Sequence, residues 1–79
     1  MILNHYNELF IPEKKAVHAL TSREKEIARL IATGLINKKI AESLHISINT
    51  VQFHRSNTMK KLNLSNTADL VKFVLQNNL

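Results

Sequence analysis

Five side chains between Ile48 and Leu62 could meet a base edge or a polyanion from one side of a helix. Asn49, Gln52, Phe53, Ser56 and Lys60 fall within about 100° of arc at helical spacing, opposite Val51, Thr58 and Leu62. Gln can exchange paired hydrogen bonds with adenine in the major groove, Ser can donate or accept, and a Phe ring can touch a thymine methyl. A solvated helix face has the same composition, so the placement of charge must decide. Lys38 and Lys39 lie in the first turn of the preceding helical stretch. A cation there faces a positive macrodipole, at a cost of about 0.3–1 kcal/mol at low salt, and a bound phosphate would relieve it. Asn37, Lys38 and the free amides of that turn form one candidate clamp for a phosphate backbone. Lys60 and Lys61, at the far end of 48–62, form a second, and Lys39 adds charge beside the first.

Other chemistries find little support. His5, His18, His45 and His54 share no ligand spacing and the chain has no Cys, which excludes Cys-ligated zinc, thiol catalysis and disulfides. A nucleophile motif is missing, and the single glycine, Gly34, cannot build a phosphate-cradling loop alone. We therefore expect a non-enzymatic protein without cofactor or metal.

The elements that must position these residues are helical. Thr21-Ser22-Arg23-Glu24 has the hydroxyl and the acid three positions on that close a capping box. It opens a helix predicted over 22–33, with Ile27, Leu30 and Ile31 inward and Gly34 at the left-handed exit. Ile40, Ala41 and Leu44 mark a second helix over 37–44, and after His45-Ile46-Ser47 a third, capped by Ser47, runs over 48–62, roughly 22 Å long. His is among the residue types tolerated in the left-handed region, so His45 suits the corner. Asn66 and Asp69 resemble a capping box with a shorter acid and open a helix over 66–77, with Leu70, Val71 and Val74 inward. Ile2, Leu3, Tyr6, Leu9 and Phe10 suggest a short helix over 2–11 ended by Pro12, and Pro12 to His18 has the look of a linker. That segment could pack on the domain, pair two chains, or be the tail of an upstream domain. No alternating stretch suited to a strand is present, so the fold class is all-α.

Seventy-nine residues make one small domain whose thin core leaves dimerisation open. The formal charge of +5 is uneven. Residues 1–19 and 63–79 are each neutral, residues 20–47 carry +2, and residues 48–62 carry +3 with no acid. The middle of the chain thus faces the anion. The longest apolar runs are far shorter than the ~20 residues that cross a bilayer, and no secretory signal pattern opens the chain, so a cytoplasmic protein is expected. Arg55 sits on the border of the inward face, its methylenes set to pack and its guanidinium to reach solvent, a phosphate or a carboxylate. Phe73 and Leu75 flank the inward stripe of the last helix, an apolar excess that either a dimer face or contact with the N-terminal segment would explain.

Four ordered motifs then carry a family resemblance: Leu20 to Ile27 (LTSREKEI), Gly34 to Ala41 (GLINKKIA), Ile46 to His54 (ISINTVQFH) and Lys61-Leu62. Together they closely resemble the LuxR-type (GerE-type) helix-turn-helix domain, over about residues 20–77. The resemblance implies a four-helix domain of bacterial transcription regulators, here 20–79 preceded by a helix or linker segment 1–19. Its third helix would enter the major groove and its fourth would mediate dimerisation on DNA, with Phe73 and Leu75 as the dimer face. Carried over by position, Gln52, Phe53 and Ser56 match base-facing positions, while Asn37, Lys38, Thr50, His54 and Lys61 match positions that approach the backbone.

The departures are specific. Ile36 stands where the family usually has Ser, Thr or Pro, so Asn37 is expected to take over as the cap. Lys39 replaces a usual Glu or Gln. Thr58 replaces an apolar residue in the core arc, where its hydroxyl could bond back to a backbone carbonyl, and Thr67 stands where Arg is frequent. The function so implied is sequence-specific binding of double-stranded DNA as the output domain of a response-regulator or sensor-fused protein, active as a homodimer with RNA polymerase as a candidate partner. Neutralising four to six phosphates per domain would give a log affinity against log salt slope of roughly −4 to −5. The competing reading is a helical protein-interaction module that sequesters a partner regulator.

Overall fold

A computed structural model describes residues 13–79, so the helix predicted over 2–11 lies outside the described residues. Five helices follow: α1 Glu13–Ala19, α2 Ser22–Ala32, α3 Asn37–Leu44, α4 Ile48–Leu62 and α5 Thr67–Gln76, with no strand among the described residues. The last four match the predicted helices, with ends moved by a residue where a cap had been counted as helix. The linker expected from Pro12 to His18 is instead helical from Glu13 onward. Ala16 and Leu20, four apart and both buried, turn one stripe of this segment into the core, and α1 packs on α4. Tertiary burial outweighs a periodic signal too short to read alone.

Each remaining helix start has a local cause, with one exception. Thr21 closes the expected capping box on α2, its hydroxyl accepting from the Glu24 amide at 3.1 Å and its own amide donating to Glu24 Oε1 at 2.8 Å. Ser47 Oγ accepts from the Thr50 amide at 3.0 Å at the head of α4. Asn66 Oδ1 accepts from the Asp69 amide at 2.8 Å, while the Asp69 carboxylate meets the Asn66 side-chain amide at 3.0 Å rather than its backbone. The exception is α3, whose cap position is Ile36 and carries no side-chain hydrogen bond.

Helix ends are left-handed. Gly34 takes φ 94 after α2, and its amide and that of Leu35 return to Ile31 and Leu30 carbonyls. His45 takes φ 57 after α3, as expected, and Asn63 takes φ 54 after α4. Inside, α2 packs against α3, α4 and α5, and α3 lies across α4. Ile27, Ile40, Val51 and Leu70 are completely buried at the junction of these four helices. Each such side chain contributes about 1.5–3 kcal/mol on leaving water. Arg29 Nε donates to the Leu79 carbonyl at 2.7 Å and fastens the stretch after α5 to α2.

Candidate nucleic-acid interface

The corner between α3 and α4 is built to hold one angle. Ile40, Ala41 and Val51 are buried where the helices meet, and the small Ala41 lets the backbones approach. The Ile46 amide closes the turn on the Ala41 carbonyl at 3.0 Å, with His45 left-handed between them. These dimensions are those of a helix-turn-helix, in which the second helix presents its first turns to a groove.

Helix α4 divides as its periodicity predicted. Val51, Thr58 and Leu62 are buried, whereas Asn49, Gln52, Phe53, Ser56 and Lys60 are all exposed, Phe53 to 62%. Thr58 carries a hydroxyl into the core and discharges it on the His54 carbonyl at 2.8 Å, the back-bond expected from its position. The His54 ring stands edge-on to that of Phe53, centroids 5.6 Å apart. His54 and Thr50 are half-buried on the flank of the outward face, and the Thr50 hydroxyl meets Ser47 Oγ at 2.9 Å.

At the head of α3 the structure corrects the expected cap. Asn37 is the first helical residue, and its side-chain oxygen accepts from Arg55 Nη1 at 3.2 Å. The other end of the Arg55 fork, Nη2, donates to Thr67 Oγ1 at the head of α5. The guanidinium, still partly exposed, thus joins the first residues of two helices rather than a carboxylate. Sequence reasoning could locate Arg55 on the border of the core face but not these partners, 18 and 12 residues away. Lys38 is exposed and has no ion pair among the described residues, and Lys39 makes only a solvent-exposed contact with Glu42 at 3.5 Å.

The end of α4 separates two neighbouring lysines. Lys60 is exposed on the outward face, but Lys61 Nζ donates to Glu24 Oε1 at 2.7 Å. Glu24 is buried, and burial alone would raise its carboxyl. The Lys61 hydrogen bond, the Thr21 amide and the Lys61 charge outweigh that effect and hold it below the usual carboxylate value. Lys61 thus has a partner inside the fold while its side chain stays partly exposed, unlike the freely exposed Lys60.

The C-terminal helix separates its expected pair as well. Phe73 is buried in the core of the single chain, and so cannot be part of an exposed face, while Leu75 stands 68% exposed. The apolar excess of this helix is partly core contact, since α5 packs along α2. No group of three or more His, Asp or Glu converges among the described residues.

Comparison with known proteins agrees with this architecture. Residues 18–74 match the family described as bacterial regulatory proteins, luxR family. The chain is 47% identical over 60 residues to the oxygen regulatory protein NreC of Staphylococcus carnosus, covering 76% of this chain and 28% of that protein. It is 38% identical over 78 residues to the transcriptional regulatory protein YhcZ of Bacillus subtilis, covering 99% of this chain and 36% of that one. Among solved structures, the response regulator StyR superposes with a TM-score of 0.78 at 41% identity, covering 81% of this chain and 32% of that chain. The chain spans about a quarter to a third of the length of the curated relatives it matches.

Proposed function

This chain belongs to the luxR family of bacterial regulatory proteins, and from that premise we propose that it binds double-stranded DNA sequence-specifically as the output domain of a transcription regulator. Residues 20–79 form the binding domain in this reading, with α4 in the major groove. The observation that carries it is the outward face of α4. Asn49, Gln52, Phe53 and Ser56 are exposed together on α4, in a stretch of chain flanked by exposed lysines at the head of α3 and the end of α4. Asn49, Gln52, Phe53 and Ser56 meet base edges, and Lys38, Lys39 and Lys60 meet phosphates. Asn37, Thr50 and His54 lie beside the backbone. Two copies pair on DNA through α5 around Leu75, in the cytoplasm, with RNA polymerase as a candidate partner.

Salt titration of duplex binding by the 79-residue chain tests this directly. Among the cations placed against phosphates, Lys38, Lys39 and Lys60 are exposed with no buried partner, and counting these three gives a slope of log affinity against log salt of about −3 per bound domain. Gln52→Ala is expected to cost about 1–3 kcal/mol on the preferred site and little elsewhere. Absence of duplex affinity at low salt would return the chain to the protein-interaction reading.

A further inference from the structure

We infer that the base pairs contacted by the first turns of α4 are A·T rather than G·C, an inference that rests on the DNA-binding reading above. The major groove offers two acceptors on guanine and an amino donor on cytosine, so G·C is read by a positive fork or ammonium on one side and by a carboxylate on the other. The exposed face of α4 from Asn49 to Ser56 supplies neither. Its groups are two carboxamides, a hydroxyl and a phenyl ring. A carboxamide donates and accepts side by side, which matches the amino group and N7 of adenine.

The arginine that could have read guanine is withdrawn. Arg55 follows Gln52 by three residues, yet both terminal nitrogens of its guanidinium are held, one by Asn37 and the other by Thr67. It lies on the border of the buried side of α4, away from the outward face. Lys60, the first cation on that face, comes four residues after Ser56, roughly 6 Å farther along the axis. No carboxylate occurs anywhere in Ile48–Leu62.

Phe53 completes the pattern. A phenyl ring 62% exposed, packed only edge-on against His54, leaves its outer face free for an apolar partner. The thymine methyl is the apolar group that a base pair displays in the major groove, and the adjoining His54 ring steadies the phenyl from its edge. Exposed amides and an exposed ring together therefore select adenine and thymine, with the available arginine tied elsewhere.

The test is selection of duplexes from a random pool by the 79-residue chain, followed by base-analogue substitution in the duplex that binds best. Enrichment of A·T pairs at the recognised positions is expected. Replacing the recognised thymidines by deoxyuridine, which lacks the methyl, should weaken binding roughly three- to ten-fold, and should not weaken a Phe53→Ala variant further. Gln52→Arg should move the preference at its position from adenine to guanine. Both side chains are exposed, so a helical circular dichroism spectrum identical to that of the parent confirms that the variants fold. Salt-dependent duplex binding with guanine enriched, or with deoxyuridine tolerated by the parent, would overturn this inference and leave DNA binding intact. Failure to bind any duplex at low salt would overturn both.

Discussion

At the head of α2, Thr21 and Glu24 satisfy each other's backbone amides, and the Glu24 carboxylate is buried against Lys61. At the head of α3, Ile36 offers no acceptor, no acid occupies the first turn, and Lys38 and Lys39 stand there instead. One helix start is neutralised from within the chain, by a local box and a cation 37 residues away. The other has unmet amides and added positive charge, and is steadied by Arg55 through a side chain rather than through those amides. The difference teaches that neighbouring helices of one small fold can treat the same end effect in opposite ways, closing it from within the chain at one and leaving it open, with added positive charge, at the other.

Substitutions can break that contrast from either side. The largest effect is expected at the closed end. Glu24→Ala removes half a capping box and leaves Lys61 without its partner, costing about 2–3 kcal/mol of stability in urea denaturation, the partial exposure of Lys61 keeping the loss moderate. A loss under half that size would mean that α2 does not depend on the box. The same carboxylate sets the acid limb. Because its folded pKa lies below the ordinary 4.5, its contribution is fully present above that pH and disappears as pH falls through the lowered folded value. Glu24→Gln should accordingly flatten the stability profile below pH 4.5, as chemical denaturation across pH would reveal.

At the open end the signs reverse. Ile36 is 65% exposed with φ −79 and ψ 162, a backbone that suits a capping hydroxyl. Ile36→Ser should therefore stabilise the chain by about 1 kcal/mol, read as a rise in Tm of roughly 4–8 °C. No rise would show that the α3 amides are already satisfied. The smallest effect on stability belongs to Lys38→Ala, which relieves about 0.3–1 kcal/mol of repulsion at low salt while lowering affinity for every duplex alike and reducing the salt slope by about 0.9. Coupled loss of stability and binding would contradict the division of labour.

What could be read from the residues alone was local. Thr21 with Glu24, Ser47, Gly34 and the left-handed His45 bound the helices, because caps and turns act over a few positions and leave their residue types in the chain. The division of α4 into a buried and an exposed side was equally legible from its period. Contacts over distance were not. Lys61 and Lys60 are adjacent lysines in sequence, and only the approach of α2 draws one of them inward. Asn37 looked like a replacement cap, but the arrival of Arg55 gave its side chain another task. Phe73 lay at the margin of the inward arc of α5 and was drawn into the core by packing along α2. For α1, the signal was present in the spacing of Ala16 and Leu20, but seven residues are too few for a period to stand out.

The left-handed backbone at His45 limits how this corner can drift over generations. Its side chain is exposed, so tolerance of nearly any replacement would be the ordinary expectation. Conformation narrows that freedom: Gly, Asn or Asp can inherit the position cheaply, whereas Val, Ile or Thr would be forced to swing the two helices apart. An exposed position thereby becomes one where backbone conformation, not burial, limits which side chains fit.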